Sequence, residues 1–481
     1  MNQELLDQLY DPQAFEAHGK RFIEVLTAHL ERTTKGHTER VIAWNTPEKE
    51  LEFWQSFLKE GDSNDFLDEI LARTIHTHHP RYVGHQVAAT APLTALTSMV
   101  SGLLNNGMAV YEMGMAPSAI ERVVIDSICA RIGYSEDSGG FLTSGGTLAN
   151  LTAMLSARRA KASGDVWNQG HQGALGIMVC EEAHYCIDRA AKIMGLGEQG
   201  IIKIPGKKDH SMDVATLETY FQEATAKGIE IFAIVGSAPS TATGAYDDLE
   251  AIAEFAKTHN LWFHVDGAHG GAAIYSKKYA PLVSGIEKAD SVVIDGHKML
   301  LLPTITTALL FKNKRDAQHT FSQTADYLLD DSLEEQWFNS GKKTFECTKT
   351  MMSLHWYLLL KVYGEAVFDS FVTRQFDLGK AFATELKNHP GFEIATPPQS
   401  NIVCFRWTHR DLNQSELDGI NAEIRQILLE EGRFYLVQTK LRGILYLRIS
   451  LMNPFTTMEH LRALLQELES KAQKLAVGLV N

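Results

Sequence analysis

The run Trp262-Phe263-His264-Val265-Asp266-Gly267-Ala268-His269-Gly270-Gly271 is an apolar strand that ends in a carboxylate and small residues. Such an ending places Asp266 at the carboxyl edge of a sheet, where ligands bind in open α/β folds. A second run, Asp290-Ser291-Val292-Val293-Ile294-Asp295-Gly296-His297-Lys298-Met299, is again a strand, and it ends in Gly-His-Lys. A lysine directly after an apolar strand is unusual, because lysines are rarely buried unless paired. One that forms an imine loses its charge problem and becomes a covalent handle. The residues between the two runs leave room for a loop and a short helix, so neighbouring strands can end on one ligand. Two other readings of the first run stay open: Asp266 as the cap of a turn, and His264, Asp266 and His269 as metal ligands. The metal reading is disfavoured, because His264 and Asp266 share one strand face and no matched second cluster follows.

Outward from these runs, short apolar strands alternate with amphipathic helices, the pattern of a mainly parallel sheet with helices on its faces. Strands are predicted at 140–143, 177–180, 231–235, 261–265 and 291–294. Helices are predicted at 148–161, after the strand 177–180 through Ile193, and at 248–258, the last with Leu249, Ile252, Phe255 and Ala256 on one face. Thr143-Ser144-Gly145-Gly146-Thr147 falls between a strand and a helix. Glycines there let the backbone approach an anion closely, and the helix-start N–H groups point at it; a plain turn is the competing reading. The expected organisation is an N-terminal helical arm over 1–75, a large domain over 76–348, connecting helices over 349–388 closed by His389-Pro390-Gly391, and a small α/β domain over 389–481.

With 45 Lys and Arg against 59 Asp and Glu, the chain of 481 residues carries a net charge of −14. That balance argues against a general nucleic-acid binder, which needs clustered cations. Cys129, Cys180, Cys186, Cys347 and Cys404 are scattered and odd in number, without a C-x-x-C pair, so neither a disulfide framework nor a structural zinc site is suggested. The first thirty or so residues have no apolar signal core, and the apolar-rich stretch 299–311 is too short and polar to span a bilayer. A cytoplasmic enzyme with no nucleic-acid or membrane partner is the expectation.

Taken together, these segments resemble the group II pyridoxal-phosphate-dependent decarboxylases, the family of glutamate, aromatic amino acid, aspartate and 2,4-diaminobutyrate decarboxylases. The likeness runs from about His78 to Thr456 and is carried chiefly by H-V-D-x-A and the later H-K. It implies an α/β fold of type I, like aspartate aminotransferase, with pyridoxal 5'-phosphate as cofactor. It also implies decarboxylation of an amino acid, and a homodimer with active sites between subunits. Lys298 resembles the Schiff-base lysine, and Asp266 the acid that keeps the pyridine nitrogen protonated. His184 resembles the histidine stacked on the ring. Gly146, Thr147, Ser291 and His297 fall where the family holds the phosphate, Thr241 near the phenolic oxygen, and Asp247 near the lysine. Tyr327, in Ala325-Asp326-Tyr327-Leu328, resembles the loop tyrosine that returns a proton to the substrate. Arg448 resembles the arginine that grips the substrate carboxylate, with an arginine pointing outward on an exposed strand as the alternative. His85 lies in a segment lining the substrate entrance and stands where glutamate enzymes carry a glutamine, which weakens the case for strict glutamate specificity; a small acidic amino acid such as aspartate is the first expectation, with glutamate, 2,4-diaminobutyrate and aromatic amino acids open. Three rivals remain: an aminotransferase or carbon–carbon lyase with the same cofactor, a non-catalytic cofactor-binding protein, and a metal hydrolase built on His76, His78, His79 and His85.

Overall fold

The computed structural model describes residues 3–321 and 336–480. Seven strands form one sheet: β1 Gly139–Thr143, β2 Ala174–Cys180, β3 Ile201–Ile204, β4 Ile229–Ser237, β5 Trp262–Asp266, β6 Ser291–Asp295 and β7 Thr307–Phe311. Their order is β1-β7-β6-β5-β4-β2-β3. The strands from β3 across to β6 pair in parallel, while β7 runs antiparallel to both β1 and β6. With β7 inverted between them, β1 and β6 point the same way, so six strands share one carboxyl edge.

Burial explains the composition of the middle strands. Every residue of β5, β6 and β7 is buried, as expected where helices cover both faces and alternation is lost. Trp262 and Phe311 join one core cluster with Phe141, Phe232 and the small face of helix Gly146–Lys161. Helix Leu249–Thr258 is capped by Asp248, whose side chain accepts from Ala251 N at 3.1 Å. It buries Leu249, Ile252, Ala253 and Ala256, leaving the expected Phe255 only half-buried. β7 is the strand the sequence reading did not separate from the apolar stretch 299–311. The long helical region expected at 349–388 is two helices, Ser353–Tyr363 and Ala366–Lys387. The first stops where Gly364 takes φ +65° and its N–H bonds Leu360 O.

The chain divides into two compact units. One holds 1–85, 386–393 and 405–481; the other holds 86–385 and 394–404. The segment 1–75 therefore falls in the same unit as most of 389–481. Long-range backbone bonds account for this: Val41 N donates to Gly432 O at 2.7 Å and His76 N to Val41 O at 2.7 Å. Val41, Tyr82, Leu429, Tyr435 and Val437 close a small core there. A second sheet has the order β10-β11-β9-β8, from β8 Phe392–Ile394, β9 Ile402–Trp407, β10 Val437–Leu441 and β11 Ile444–Ser450. Among the described residues no helix is long and apolar enough to cross a membrane.

Candidate active site

Five strand ends of the large sheet feed a cavity of about 290 Å³. After β1 come Ser144, Gly145, Gly146 and Thr147; after β2, His184 and Cys186; after β4, Pro239 and Thr241; after β5, Ala268 and His269; after β6, His297 and Lys298. Asp266 and Asp295, the last residues of β5 and β6, line it as well. A ligand site where the loops of neighbouring parallel strands diverge is the general outcome of this topology.

Lys298 Nζ lies 2.9 Å from Asp295 Oδ2, and that carboxylate is almost wholly buried. Its other oxygen accepts from Thr307 Oγ1 at 2.5 Å, which links the site to β7. Burial alone would lower the lysine's pKa, but the Asp295 carboxylate, with a smaller push from Asp266, raises it above the ordinary value. Asp295 in turn is held below the usual carboxylate range: burial works against ionisation, and Lys298 and His297 outweigh it. Asp295 was in the quoted run yet carried no assigned role. Its signal was an acid three residues before the lysine at the end of a buried strand.

Asp266 closes β5 with one carboxylate oxygen 3.2 Å from Ala268 N. His184 is the N-cap of helix Tyr185–Ile193, its Nδ1 accepting from Cys186 N at 3.4 Å. Burial lowers its pKa, with Asp266 opposing, so the imidazole is neutral at neutral pH. Helix Gly146–Lys161 opens at the cavity with Gly145 as N-cap at φ +99° and no side-chain cap, so its first N–H groups remain for a ligand. A Cβ on Gly146 would come within 3.2 Å of Asp295 Oδ1, so glycine is what permits the close approach there. Glu346 was also missed: its Oε1 accepts from Ser144 N at 3.1 Å and from Thr143 Oγ1 at 2.9 Å, bracing the turn before that helix.

The remaining expected residues are placed as follows. His297 and Thr241 line the cavity, with His297 Nδ1 3.0 Å from Thr306 O. Ser291 does not line it: it begins β6, at the opposite end of the strand, and its hydroxyl meets Trp262 Nε1 at 2.9 Å and His264 Nδ1 at 2.8 Å. Asp247 is not among the lining residues either. Its carboxylate accepts from Ser237 N at 2.8 Å and Met212 N at 2.7 Å, pinning the end of β4. Burial pushes its pKa up from 3.8 to about 6, with those two amides opposing. A carboxyl that binds its proton more tightly folded than unfolded stabilises the fold least when ionised. Stability is therefore expected to decline as pH rises from about 4 to about 6, and Asp247→Asn to flatten that slope in a plot of Tm against pH.

His85 and Arg448 belong to the other unit. Arg448 is buried on β11 opposite Val437, which removes the alternative of an outward-facing arginine. His85 is exposed, 5.8 Å from the Tyr435 ring, and its pKa is lowered by partial burial and then by Arg448 and Arg425. Tyr327 lies outside the described residues. The two metal readings find no support in the geometry. His264 spends its nitrogens on Ser291 and on Asn150 Oδ1 at 2.7 Å, and His269 Nε2 meets Asn401 Oδ1 at 2.8 Å. His79 is engaged by Thr38 O at 3.3 Å and Arg81 N at 3.1 Å.

Residues 51–408 match the family model described as the pyridoxal-dependent decarboxylase conserved domain. The chain belongs to the pyridoxal-dependent decarboxylases. Among relatives of this decarboxylase, the acidic amino acid decarboxylase GADL1 of Mus musculus is 27% identical, over 96% of this chain and 88% of that one. The aspartate 1-decarboxylase of Aliivibrio fischeri is 28% identical, over 92% of this chain and 90% of its own. The crystal structure of mouse CSAD superposes with a TM-score of 0.89 at 24% identity, covering 96% of this chain and 99% of that one, and shares the fold-type I architecture. The decarboxylase is thus a pyridoxal-phosphate-dependent carboxy-lyase. Its cavity fits that cofactor in chemistry: an uncapped helix start for an anion, a carboxylate for a ring nitrogen, and an amine for an aldehyde, all lining one space.

Proposed function

We propose that this chain removes the α-carboxylate of a small acidic L-amino acid, such as aspartate or glutamate, giving carbon dioxide and the corresponding amine. The observation that carries the reading is the convergence of Asp266, Lys298 and the helix start at Gly146 on one cavity at the carboxyl edge of the sheet. The acidic preference is supported by relatives named for acidic amino acids and aspartate.

When bound, pyridoxal phosphate supplies a conjugated ring that takes up the electron pair left at Cα as the carboxylate departs. Lys298 would be the residue that holds it, through its amine. The negative charge of Asp266 would favour a protonated ring nitrogen. The amides of Gly146 and Thr147, with His297, would hold the phosphate, and the His184 imidazole would pack on the cofactor. Thr241 is assigned the phenolic oxygen, while Asp247 and Ser291 act from behind by fixing β4 and β5. The family resemblance assigns the substrate carboxylate to Arg448, whose guanidinium offers two parallel donors, and the substrate entrance to His85. Orientation of the substrate by these side chains would choose which bond at Cα breaks, and such orientation is worth up to about 7–11 kcal/mol in well-aligned reactions.

Tyr327 is the proton donor to Cα in this reading. Tyr327→Phe is expected to slow amine formation by ~10²–10⁴-fold, the usual range for a general acid, with cofactor absorbance retained. An unchanged rate removes the tyrosine from the mechanism. The chain is also read as a cytoplasmic homodimer. Leu96, Met99, Val100, Leu103 and Leu104, each at least 43% exposed, leave an apolar face on helix Pro92–Leu104 for a second copy. Light scattering should give twice the 53.5 kDa of one chain, and a monomer mass at micromolar concentration would count against it.

The direct test is a panel of amino acids incubated with the purified enzyme. The expected result is an amine and carbon dioxide from aspartate or glutamate, without a keto acid. Faster turnover of an aromatic amino acid or 2,4-diaminobutyrate overturns the acidic preference, and a keto acid product overturns decarboxylation in favour of amino transfer.

A further inference from the structure

One ring nitrogen of His184, Cys186 Sγ and one carboxylate oxygen of Asp266 all lie within 4.8 Å of one another, and all three side chains line the same cavity. We propose that the cofactor-free chain binds one borderline-soft divalent metal ion, of the zinc class, at His184, Cys186 and Asp266, and that this ion and pyridoxal phosphate exclude each other. The proposal rests on the reading of the cavity as the cofactor site and adds a form of regulation to it.

The donor set selects the ion. A thiolate, an imidazole and a carboxylate form the mixed sulfur, nitrogen and oxygen environment that favours zinc or cobalt over magnesium or calcium. Tetrahedral zinc with bonds of about 2.0–2.3 Å sets one sulfur, one nitrogen and one oxygen roughly 3.3–3.7 Å apart, so separations of up to 4.8 Å need to close by up to about 1.5 Å. The cavity leaves the fourth position to water, as in open three-ligand sites.

The surroundings are prepared for such an ion. Asn150 Nδ2 sits 3.4 Å from Cys186 Sγ, and Asn150 Oδ1 is itself held by His264 Nε2 at 2.7 Å, so an amide N–H is fixed on the sulfur. Of the two carboxylate oxygens of Asp266, one meets Ala268 N, which leaves the other for a metal. The nearby Lys298 ammonium is offset by Asp295 at 2.9 Å, which reduces its repulsion of a divalent cation. Binding breaks the S–H bond of Cys186, passes that proton to bulk water and forms a sulfur–metal bond, with no change of oxidation state.

Exclusion follows from shared residues. Asp266 cannot both ligate a metal and face the cofactor's ring nitrogen, and an ion against His184 occupies the space assigned to the ring. A metal ion would therefore hold the chain in an inactive state until cofactor displaces it.

Cobalt(II) is the probe, because tetrahedral thiolate coordination gives both visible bands and a sulfur-to-metal charge-transfer band. The full-length chain, stripped of cofactor and titrated with cobalt, is expected to show both bands at one equivalent. Pyridoxal phosphate should abolish them, magnesium should not, and zinc should replace cobalt. Cys186→Ser should remove the charge-transfer band and weaken binding at least ~10-fold; His184→Gln, with Cys186 intact, should weaken binding similarly if the first variant folds poorly. Absence of the charge-transfer band, retention of it in Cys186→Ser, displacement by magnesium, or cobalt bands that persist with cofactor attached would each overturn the proposal. Failure of pyridoxal phosphate to attach at Lys298 is a separate result: it overturns the cofactor-site reading, and is seen in the cofactor's own absorbance with no metal added.

Discussion

Lys298→Ala is expected to lower decarboxylation by at least about 10³-fold, roughly 4 kcal/mol of barrier, and to abolish the visible absorbance of attached cofactor. The expectation follows from position. Lys298 is the first amine beyond the end of β6, and among the described residues it is the one lysine that lines the cavity. The substitution also leaves the buried Asp295 with only the more distant His297, at 3.6 Å, and the Thr307 hydroxyl, and removing one partner of a buried ion pair costs about 3–5 kcal/mol. Thermal stability should therefore fall along with activity. The double variant Lys298→Ala with Asp295→Asn separates the two effects, because it removes the orphaned charge and should recover stability without recovering turnover. Recovery of both would place the chemistry elsewhere.

Asp266→Asn is the second large effect, an expected loss of ~10²–10³-fold in kcat with cofactor still attached. Asparagine keeps the shape and the contact with Ala268 N but removes the negative charge. In the proposed mechanism that charge holds a proton on the ring nitrogen, so the ring becomes a weaker electron acceptor while Lys298 is untouched. A change in KM alone, with kcat preserved, would contradict this role and leave Asp266 as a binding residue. The split between kcat and KM decides between a charge that acts in the transition state and one that acts equally throughout.

The cavity was legible because its main residues terminate strands. Asp266 and Lys298 each follow a run of apolar residues, and parallel pairing of β5 with β6 sets Asp266 beside Val293, two residues from the strand end. The glycine turn before helix Gly146–Lys161 was legible for the same reason, a strand followed at once by a helix. Asp295 was only partly readable: its pairing with Lys298 lies within one run, but its other partner, Thr307, sits on β7, which was hidden in a stretch whose apolar residues carry no period. Ser291 shows the opposite fault: the family resemblance set it with the phosphate residues, yet it begins β6 while the cavity lies at the far end of that five-residue strand. The grouping of 1–75 with the C-terminal residues depends on bonds such as Val41 N to Gly432 O, which no local pattern announces. The break at Gly364 was overlooked because a glycine inside an apolar helical pattern reads as tolerated until its φ is known.

The most direct test of the account is to reduce the loaded enzyme with borohydride, digest it and locate the pyridoxyl group by mass spectrometry. The account predicts a single modified peptide with the group on residue 298, in a yield that matches the cofactor bound. Modification of a different lysine, or cofactor that washes away unreduced while activity persists, would contradict it.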